Sequence, residues 1–579
     1  MSAARYLIVV PNVGVSERWH HKATDMSRRL GLDLIEGHGF LLLSSARPLL
    51  FGGARQSGGA IIGSMFGRRD RAVLAALPDH EARAALETRG GSLVQRFWGD
   101  YIAILDRDDG PTVVRAPFGD LPCYLCRSDE ATLLGSDAAM LRETSVRPAV
   151  DWHAVALQLI APDIRRRQTC LAQIEELACG ERVTIGPSLN YETLWSPWSF
   201  TTPEQRCDDK EFATEQLRAA FLDSVAAITS DGRPNMLLLS GGVDSSISAA
   251  ALSAAGRDTC ALTMVTHSAA GDERDYARSV AIHCRMPLTE IERDPATVDL
   301  TRSEASDLPY PTETSFSQTT RGALAAVMGS SERRVLHGGG GDQIFCSLQS
   351  AAPLADLIRA NGLDRRIPRL TLNLAQIAHS TAGAVTRQAL ARLLAGRSTY
   401  RWQANLECLT PMACAHEMEA LQHPWLSPPF RTGSGSAGHV ALTMSALGIV
   451  QSPAWRARPP WKALLLSQPV VETCLSIPPW LWFERGRNRA VARRAVEHLL
   501  PSGHIWRRSK GAMASFMIEI FDANRPLLRA MIGDGMLVRE GLVDQDACLK
   551  ILDAPPPVRG NAWARLLQLA DVEAWAASW

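Results

Sequence analysis

The segment Leu237-Leu238-Leu239-Ser240-Gly241-Gly242-Val243-Asp244-Ser245-Ser246 joins an apolar run to a helical stretch at 247–255. A buried strand that enters a tight glycine turn and then a helix exposes unpaired amides at the helix N-terminus, where an anion is favoured. Gly241 and Gly242 let backbone approach such an anion closely, and the hydroxyls of Ser240, Ser245 and Ser246 add donors. The chemistry is that of a phosphate cradle. Asp244 supplies a hard oxygen that suits Mg²⁺ held against the same phosphates. The loop lacks the lysine and the spacing of a Walker A loop, so it does not suggest transfer of a terminal phosphate. A glycine turn that only caps a helix would account for any three of these residues but not for the whole string.

Such a loop needs a sheet end to hold it. Residues 236–239, 259–264 and 334–336 are strand candidates alternating with Ala-rich helical stretches, the pattern of a parallel sheet covered by helices, and helices dominate beyond about 351. Before residue 195 the pattern is different: short strand-like runs at 6–10, 39–44, 101–106, 112–116 and 131–134, separated by Gly, Asp and Pro turns, suggest sheet with few helices. A polar stretch at 196–209 separates this part from 211–228, where Phe212, Leu217, Phe221 and Val225 recur at helical spacing. The domain boundary is placed there, since 579 residues exceed what one core organises.

Composition removes several function classes. With 46% hydrophobic and 21% charged residues and zero formal net charge, the chain lacks the electrostatic footprint of a protein that coats nucleic acid, and Arg165-Arg166-Arg167 is read as a solvated face. No window approaches the roughly 18 apolar residues of a membrane span, and the apolar run at 6–10 is too short for a secretory signal, so a cytoplasmic location is expected. The twelve cysteines show no repeating spacing, and Cys123/Cys126 has no second pair to complete a zinc site, so they are read as reduced, mostly buried thiols.

The string Ser240-Gly241-Gly242-Val243-Asp244-Ser245 resembles the SGGxDS signature of the ATP-pyrophosphatase (PP-loop) superfamily, which cleaves ATP to AMP and pyrophosphate. A second loop, Val335-Leu336-His337-Gly338-Gly339-Gly340-Gly341-Asp342-Gln343-Ile344-Phe345, resembles the SGEGSDE(V/I)F loop of asparagine synthetases, and Asp342 falls on that family's second Mg²⁺-holding aspartate. A glycine run after a strand offers further backbone donors, and two aspartates on neighbouring strand ends can share a metal bound to pyrophosphate. The two loops are therefore expected to face each other. Towards the N-terminus, Gly99-Asp100-Tyr101-Ile102-Ala103, then Arg115-Ala116-Pro117-Phe118-Gly119-Asp120-Leu121-Pro122-Cys123-Tyr124 and Gly135-Ser136-Asp137, are similar to the pattern of class II glutamine amidotransferase domains. That domain uses an N-terminal cysteine as nucleophile, whereas here Ser2 is followed by Ala3-Ala4, so glutaminase activity is not expected.

Loss of the nucleophile divides the family. β-Lactam synthetases and lasso-peptide macrolactam cyclases keep the degenerate domain and use an amine already on the substrate. Leu464-Leu465-Leu466-Ser467-Gln468-Pro469-Val470-Val471-Glu472 and Arg487-Asn488-Arg489-Ala490-Val491-Ala492-Arg493 resemble segments of the lasso cyclases, and Lys510, in Ile505-Trp506-Arg507-Arg508-Ser509-Lys510-Gly511, falls near the catalytic lysine of the β-lactam synthetase branch. The resemblance implies an α/β architecture: a glutamine-amidotransferase-like (Ntn-type) β-rich sandwich over 1–200 and a PP-loop parallel α/β synthetase domain with added helices over 201–579.

It implies roles as well. ATP and Mg²⁺ are the expected cofactors. Ser240, Gly241, Gly242, Ser245, Ser246, Gly338, Gly339 and Gly340 would line the phosphates, Asp244 and Asp342 would hold the metal, and Met264 would pack the adenine. Lys510 would stabilise charge on departing pyrophosphate or on the tetrahedral oxyanion. The substrate would be a precursor peptide whose Asp or Glu side chain is adenylated and then attacked by the peptide's own N-terminal amine. A leader protease and a leader-peptide-binding protein would be partners, with no nucleic acid and no membrane. Trp461, Trp480, Trp482 and Trp506 supply apolar surface in the region flanking the pocket. Three other readings stay open: an asparagine synthetase using aspartate with ammonia or glutamine, a PP-loop tRNA-modifying enzyme, which the neutral charge and the amidotransferase-like half argue against, and a non-catalytic scaffold or peptide-binding protein.

Overall fold

The computed structural model describes residues 4–51, 58–68, 72–107, 109–144, 146–266, 271–311, 315–329, 331–395, 398, 400–450, 461–501, 503–507, 514–555 and 560–579. Lys510 and Ser2 lie outside the described residues.

Twelve strands form the N-terminal part: β1 Tyr6–Pro11, β2 Asp33–Glu36, β3 Leu41–Ser44, β4 Leu49–Leu50, β5 Gly59–Gly67, β6 Phe97–Leu105, β7 Thr112–Arg115, β8 Tyr124–Arg127, β9 Ala131–Gly135, β10 Ile174–Glu176, β11 Glu181–Ile185 and β12 Leu189–Thr193. They make two six-stranded sheets, in the orders β10-β8-β9-β1-β3-β2 and β12-β11-β7-β6-β5-β4. Every pairing within them is antiparallel. The period of two assigns alternate residues to opposite faces. Thus Tyr6, Ile8 and Val10 of β1 share one core with Ile62, Ile102, Ile104 and Val183 of the facing sheet. Leu7 and Val9 point the other way, into the main core. A strand covered on both faces cannot alternate apolar with polar, which is why β1 reads as an unbroken apolar run. Helices cover the outer faces, among them Glu17–Leu30 and Trp152–Ile160, so this part carries more helix than the expectation of few.

Five further strands, β13 Asn235–Leu238, β14 Thr259–Val265, β15 Leu288–Glu292, β16 Arg334–His337 and β17 Trp461–Ala463, form a parallel sheet in the order β15-β14-β13-β16-β17. The order runs outward from β13 in both directions, so the crevice beyond the carboxyl ends of β13 and β16 is a topological switch point, where α/β sheets place ligands. Helices make up most of the rest. The Gln468–Ser476 helix joins the two halves. Its Glu472 is buried and accepts from Arg68 at 2.6 and 2.9 Å, from Trp195 Nε1 at 2.9 Å and from Gln468 at 2.8 Å.

Arg165–Arg167 are not a solvated face. Arg165 is buried with its guanidinium 4.3 Å from the Tyr310 ring, Arg167 lies 3.7 Å over Tyr191, and Arg166 donates to the Ala420 carbonyl. Aromatic faces and long alkyl stems make such burial tolerable, and a bare run of charges in a sequence does not reveal it. All twelve cysteines are free thiols, most of them buried. Among the described residues no helix is long and apolar enough to cross a membrane.

Candidate nucleotide and carboxylate site

β13 and β16 are hydrogen-bonded neighbours in register Leu238↔His337, so their two glycine loops leave the sheet side by side. They touch. A Cβ on Gly338 would fall 2.6 Å from the Asp244 carbonyl carbon and the Ser245 amide nitrogen, and one on Gly341 would fall 2.3 Å from the Asp244 carboxyl carbon. Gly241 sits at φ +75°, a left-handed conformation that glycine adopts without strain. There the loop turns under the Arg274–His283 helix, and a Cβ would meet Ala277 N at 2.8 Å.

The turn caps its own helix. Ser240 and Ser245 hydroxyls lie 3.1 Å apart, Ser245 Oγ donates to the Gly242 carbonyl at 3.2 Å, and Gly242 is the N-cap of the Val243–Ala254 helix. Around this N-terminus lies a cavity of about 450 Å³ whose lining includes Ser240, Gly242, Asp244, Ser245, Gly338 and Gly339. Ser246 stands behind the loop: it is fully buried, donates to the Gly242 carbonyl at 2.8 Å and meets His504 Nε2 at 3.1 Å. Its role is to brace the turn. Gly340, at φ +95°, packs against Leu466 and caps the N-terminus of the short Gly341–Ile344 helix bearing Asp342.

The two aspartates converge on one cation. Arg489 Nη1 donates to Asp244 Oδ1 at 2.7 Å, and Arg489 Nη2 lies 2.6 Å from Asp342 Oδ1. Burial works against the guanidinium's charge, but the two carboxylates more than offset it and hold its proton above the ordinary range. Two hard carboxylates from facing glycine loops that pack directly on each other are a donor set that fits Mg²⁺: Asp244 and Asp342 would hold it. Arg493 adds a guanidinium to the same cavity, and burial followed by repulsion from Arg489 lowers it to about 10. Arg507 donates to the Gly241 carbonyl at 3.0 Å and to Glu273 at 2.6 Å, and lies 3.7 Å over the Tyr276 ring.

The arginines were the part of the site that pattern reading left without roles. Their only signal was their density between 487 and 507; nothing in sequence ties Arg489 to an aspartate 245 positions away. Backbone strain marks the place, since Arg489 adopts φ +59°, a conformation uncommon for non-glycine residues.

Glu484 holds this segment in place. Its backbone exchanges hydrogen bonds with Arg487 at 2.8 and 2.9 Å, while its carboxylate accepts from Arg494 at 2.6 and 2.7 Å and from Lys210. Burial would raise this carboxyl, but Arg494 and Lys210 overcome that and pull it to about 2. Because the folded value lies below the unfolded one, the stabilisation is present above about pH 4.3 and lost as pH falls towards 2. Glu484→Gln is therefore expected to cost on the order of 2–3 kcal/mol at neutral pH and to flatten the loss of stability between about pH 4 and 2, measured by denaturant unfolding across pH.

A larger cavity, about 1000 Å³, opens from the same strand ends and shares Leu238, Ser240, Glu273, His337 and Gly339 with the first. Met264 and Trp461 line it, and so do Gln158 and Arg165 from the N-terminal part. Burial and then the Lys462 ammonium pull His337 down to about 4, which leaves a neutral imidazole between the two cavities. Arg293, just past β15, is buried in the wall of the larger one; its Nη1 has no hydrogen-bond partner, and no carboxylate pairs with it among the described residues. Of the four tryptophans, Trp482 is core and Trp480 packs on the Arg206 guanidinium; Trp506 stacks under Arg485.

A third cavity, about 500 Å³, lies in the N-terminal part and is lined by Ala4, Asp100, Asp120, Arg47 and Lys462. Lys462 enters it from β17 and pairs with Asp100 at 2.5 Å and Asp120 at 2.9 Å, so one cation faces two carboxylates of the sandwich, and burial together with the Asp100 charge pushes the Asp120 carboxyl up to about 7.

A model of the family described as asparagine synthase matches residues 216–438 and 461–577. A search of curated proteins gives no match. Among solved structures, a glutamine phosphoribosylpyrophosphate amidotransferase from B. subtilis, complexed with ADP and GMP, is similar at 9% identity and TM-score 0.22, covering 59% of this chain and 77% of that one. A second, described as the allosteric regulatory enzyme of purine biosynthesis, is similar at 10% identity and TM-score 0.21, covering 52% and 76%. With the family model matching more than half of its length, across both glycine loops and the arginine segment that meets them, the chain belongs to the asparagine synthase family, which makes amide bonds with ATP.

Proposed function

We propose that the chain is an AMP-forming macrolactam synthetase: it adenylates an Asp or Glu side chain of a precursor peptide, and the peptide's N-terminal amine closes the ring. The observation that carries this reading is the cavity of about 1000 Å³ opening from the glycine loops, which has room for the adenine that Met264 would pack and, beside it, for a reactant larger than free aspartate. Arg293 supports it. Among the described residues this buried guanidinium faces the Phe516 ring but no carboxylate, and burying a charge in that way is costly until an anionic reactant enters.

Condensing a carboxylate with an amine is uphill in water, so the carboxylate oxygen must first become a leaving group. The first amides of the Val243–Ala254 helix, with Ser240, Ser245, Gly338 and Gly339, would hold the ATP phosphates. Asp244 and Asp342 would hold Mg²⁺, which supplies charge neutralisation on the pyrophosphate. The substrate carboxylate attacks the α-phosphorus and the bond to pyrophosphate breaks. The amine then attacks the acyl carbon, loses a proton, and AMP departs with the former carboxylate oxygen. Arg489 is placed to pass from the aspartates to phosphate oxygens, for which a planar bidentate donor is suited. Lys510 is proposed as a further charge stabiliser. A leader protease and a leader-binding protein complete the reading, in the cytoplasm.

The test is mass spectrometry of the protein with ATP, Mg²⁺ and trimmed precursor peptides, following AMP and loss of one water from the peptide. Both signals together support macrolactam formation. AMP that appears only with aspartate and ammonium moves the reading to asparagine synthesis, and no AMP with any carboxylate leaves a binding role. With an active peptide in hand, Arg293→Met is expected to raise KM for the peptide by about 30-fold or more while KM for ATP stays within about twofold.

A further inference from the structure

Far from the glycine loops, where the sandwich meets the C-terminal half, three metal-ligating side chains meet. His153 is the second residue of the Trp152–Ile160 helix, and His416 and Glu419 flank and occupy the short Glu417–Ala420 helix. His153 Nε2 lies 2.9 Å from Glu419 Oε1, and His416 Nδ1 lies 3.6 Å from Glu419 Oε2. The imidazoles stand edge to face with centroids 4.6 Å apart, and one donor atom from each of the three residues falls within 4.8 Å of the others. We infer that His153, His416 and Glu419 form a binding site for a divalent transition metal, Zn²⁺ in the first instance, that fastens the two halves of the chain together.

The geometry is near what such an ion requires. Tetrahedral bonds of about 2.0–2.1 Å put ligand atoms roughly 3.3 Å apart. The spacing between Glu419 and each histidine is already close to that, and the longest separation closes by small side-chain rotations. Two imidazoles with one carboxylate are a borderline-soft set that suits Zn²⁺, Co²⁺ or Ni²⁺ rather than Mg²⁺ or Ca²⁺, which prefer oxygen shells. The rings stand at 85° to each other and do not stack, and one nitrogen of each lies against a different oxygen of the Glu419 carboxylate. His416 and Glu419 are three residues apart on one helical turn, so one backbone element presents both. All three side chains are part-exposed, from 38% to 47%, which gives the ion an entry path and leaves a coordination position for water. Arg166, which donates to the Ala420 carbonyl, brings a positive charge close by and opposes binding. The affinity expected is therefore micromolar rather than that of a closed structural zinc site.

Placement gives the site a consequence. The Trp152–Ile160 helix also contributes Gln158 to the large cavity, and its last carbonyl accepts from Asn405 N at 2.8 Å on that cavity's wall. An ion at the start of the helix would clamp an element that shapes the substrate space at its other end.

The site is tested on the full chain, stripped with a chelator, by calorimetric titration with Zn²⁺ and by visible absorption on adding Co²⁺. One equivalent bound in the micromolar range, with the d–d bands of a nitrogen-containing Co²⁺ shell, is expected. His153→Ala, His416→Ala and Glu419→Gln should each weaken Zn²⁺ binding by about tenfold or more. His20→Ala, which removes a histidine paired with Glu36 elsewhere, should leave it unchanged. Circular dichroism and melting without metal confirm that each variant folds. Zn²⁺ binding that is equally strong in His416→Ala and His153→Ala, or binding no tighter than millimolar in the parent chain, overturns the assignment.

Discussion

Asp244→Asn is expected to lower the rate of AMP formation by about three orders of magnitude, the scale on which preorganised charge acts at a reacting phosphate. The isosteric amide keeps the shape of the loop, so the packing of Gly338 against the Asp244 backbone and of Gly341 against its side chain is not displaced. What it removes is a negative charge facing both the metal position and Arg489. That removal has a structural cost too, because Arg489 is only 8% exposed and keeps one counter-charge instead of two. Asp342→Asn separates the two effects. It also leaves Arg489 one counter-charge, but the Asp342 side chain is 43% exposed against 17% for Asp244, so water screens that pair more and the stability lost should be the smaller of the two, while the other carboxylate facing the same position is gone. Rates of AMP release and denaturant midpoints are measured together. If Asp342→Asn keeps near-parental AMP formation while Asp244→Asn loses it through unfolding alone, the paired-carboxylate reading fails.

The same pair shows what could be read from sequence. Both loops were legible because each combines a strand, adjacent glycines and an acidic residue in consecutive positions, and local chemistry of that kind survives without knowledge of the fold. Their face-to-face placement followed once β13 and β16 were read as strands of one parallel sheet. β15 and β17 were not legible. β17 is three residues long and lies over a hundred positions after its neighbour β16, so only the sheet itself identifies it. The role of Arg489 is not legible for a similar reason: its partners are fixed by the chain's return over the sheet, and long-range ion pairs leave no periodicity. Ser246 reads as a phosphate ligand from its place in the string, yet helical geometry turns it away from the cavity towards His504. Arg165 misled in the opposite sense, because an aromatic face that accepts a guanidinium lies 145 residues further on in the chain.

Gly341→Ala is expected to cost activity by about two to three orders of magnitude and stability by about 1–3 kcal/mol, although it adds a single methyl group. The new carbon would fall 2.3 Å from the Asp244 carboxyl carbon and 2.5 and 2.7 Å from its two oxygens, distances no relaxed contact allows. One side must move. The helix carrying Asp342 begins at this residue and the Val243–Ala254 helix begins beside Asp244, so any movement separates the two carboxylates that the proposed function places on one ion. Gly322→Ala supplies the contrast. It lies inside the Ser317–Met328 helix with nothing within 4 Å of the added carbon, so the same chemical change should stabilise by up to about 1 kcal/mol through helix propensity and leave the rate unchanged. If the glycine run exists to bring two loops into contact, the melting temperature moves in opposite directions in the two variants and AMP release falls only in Gly341→Ala. A Gly341→Ala variant as active as the parent would mean that the loops stand further apart in the working enzyme, and the shared metal position would be wrong with them.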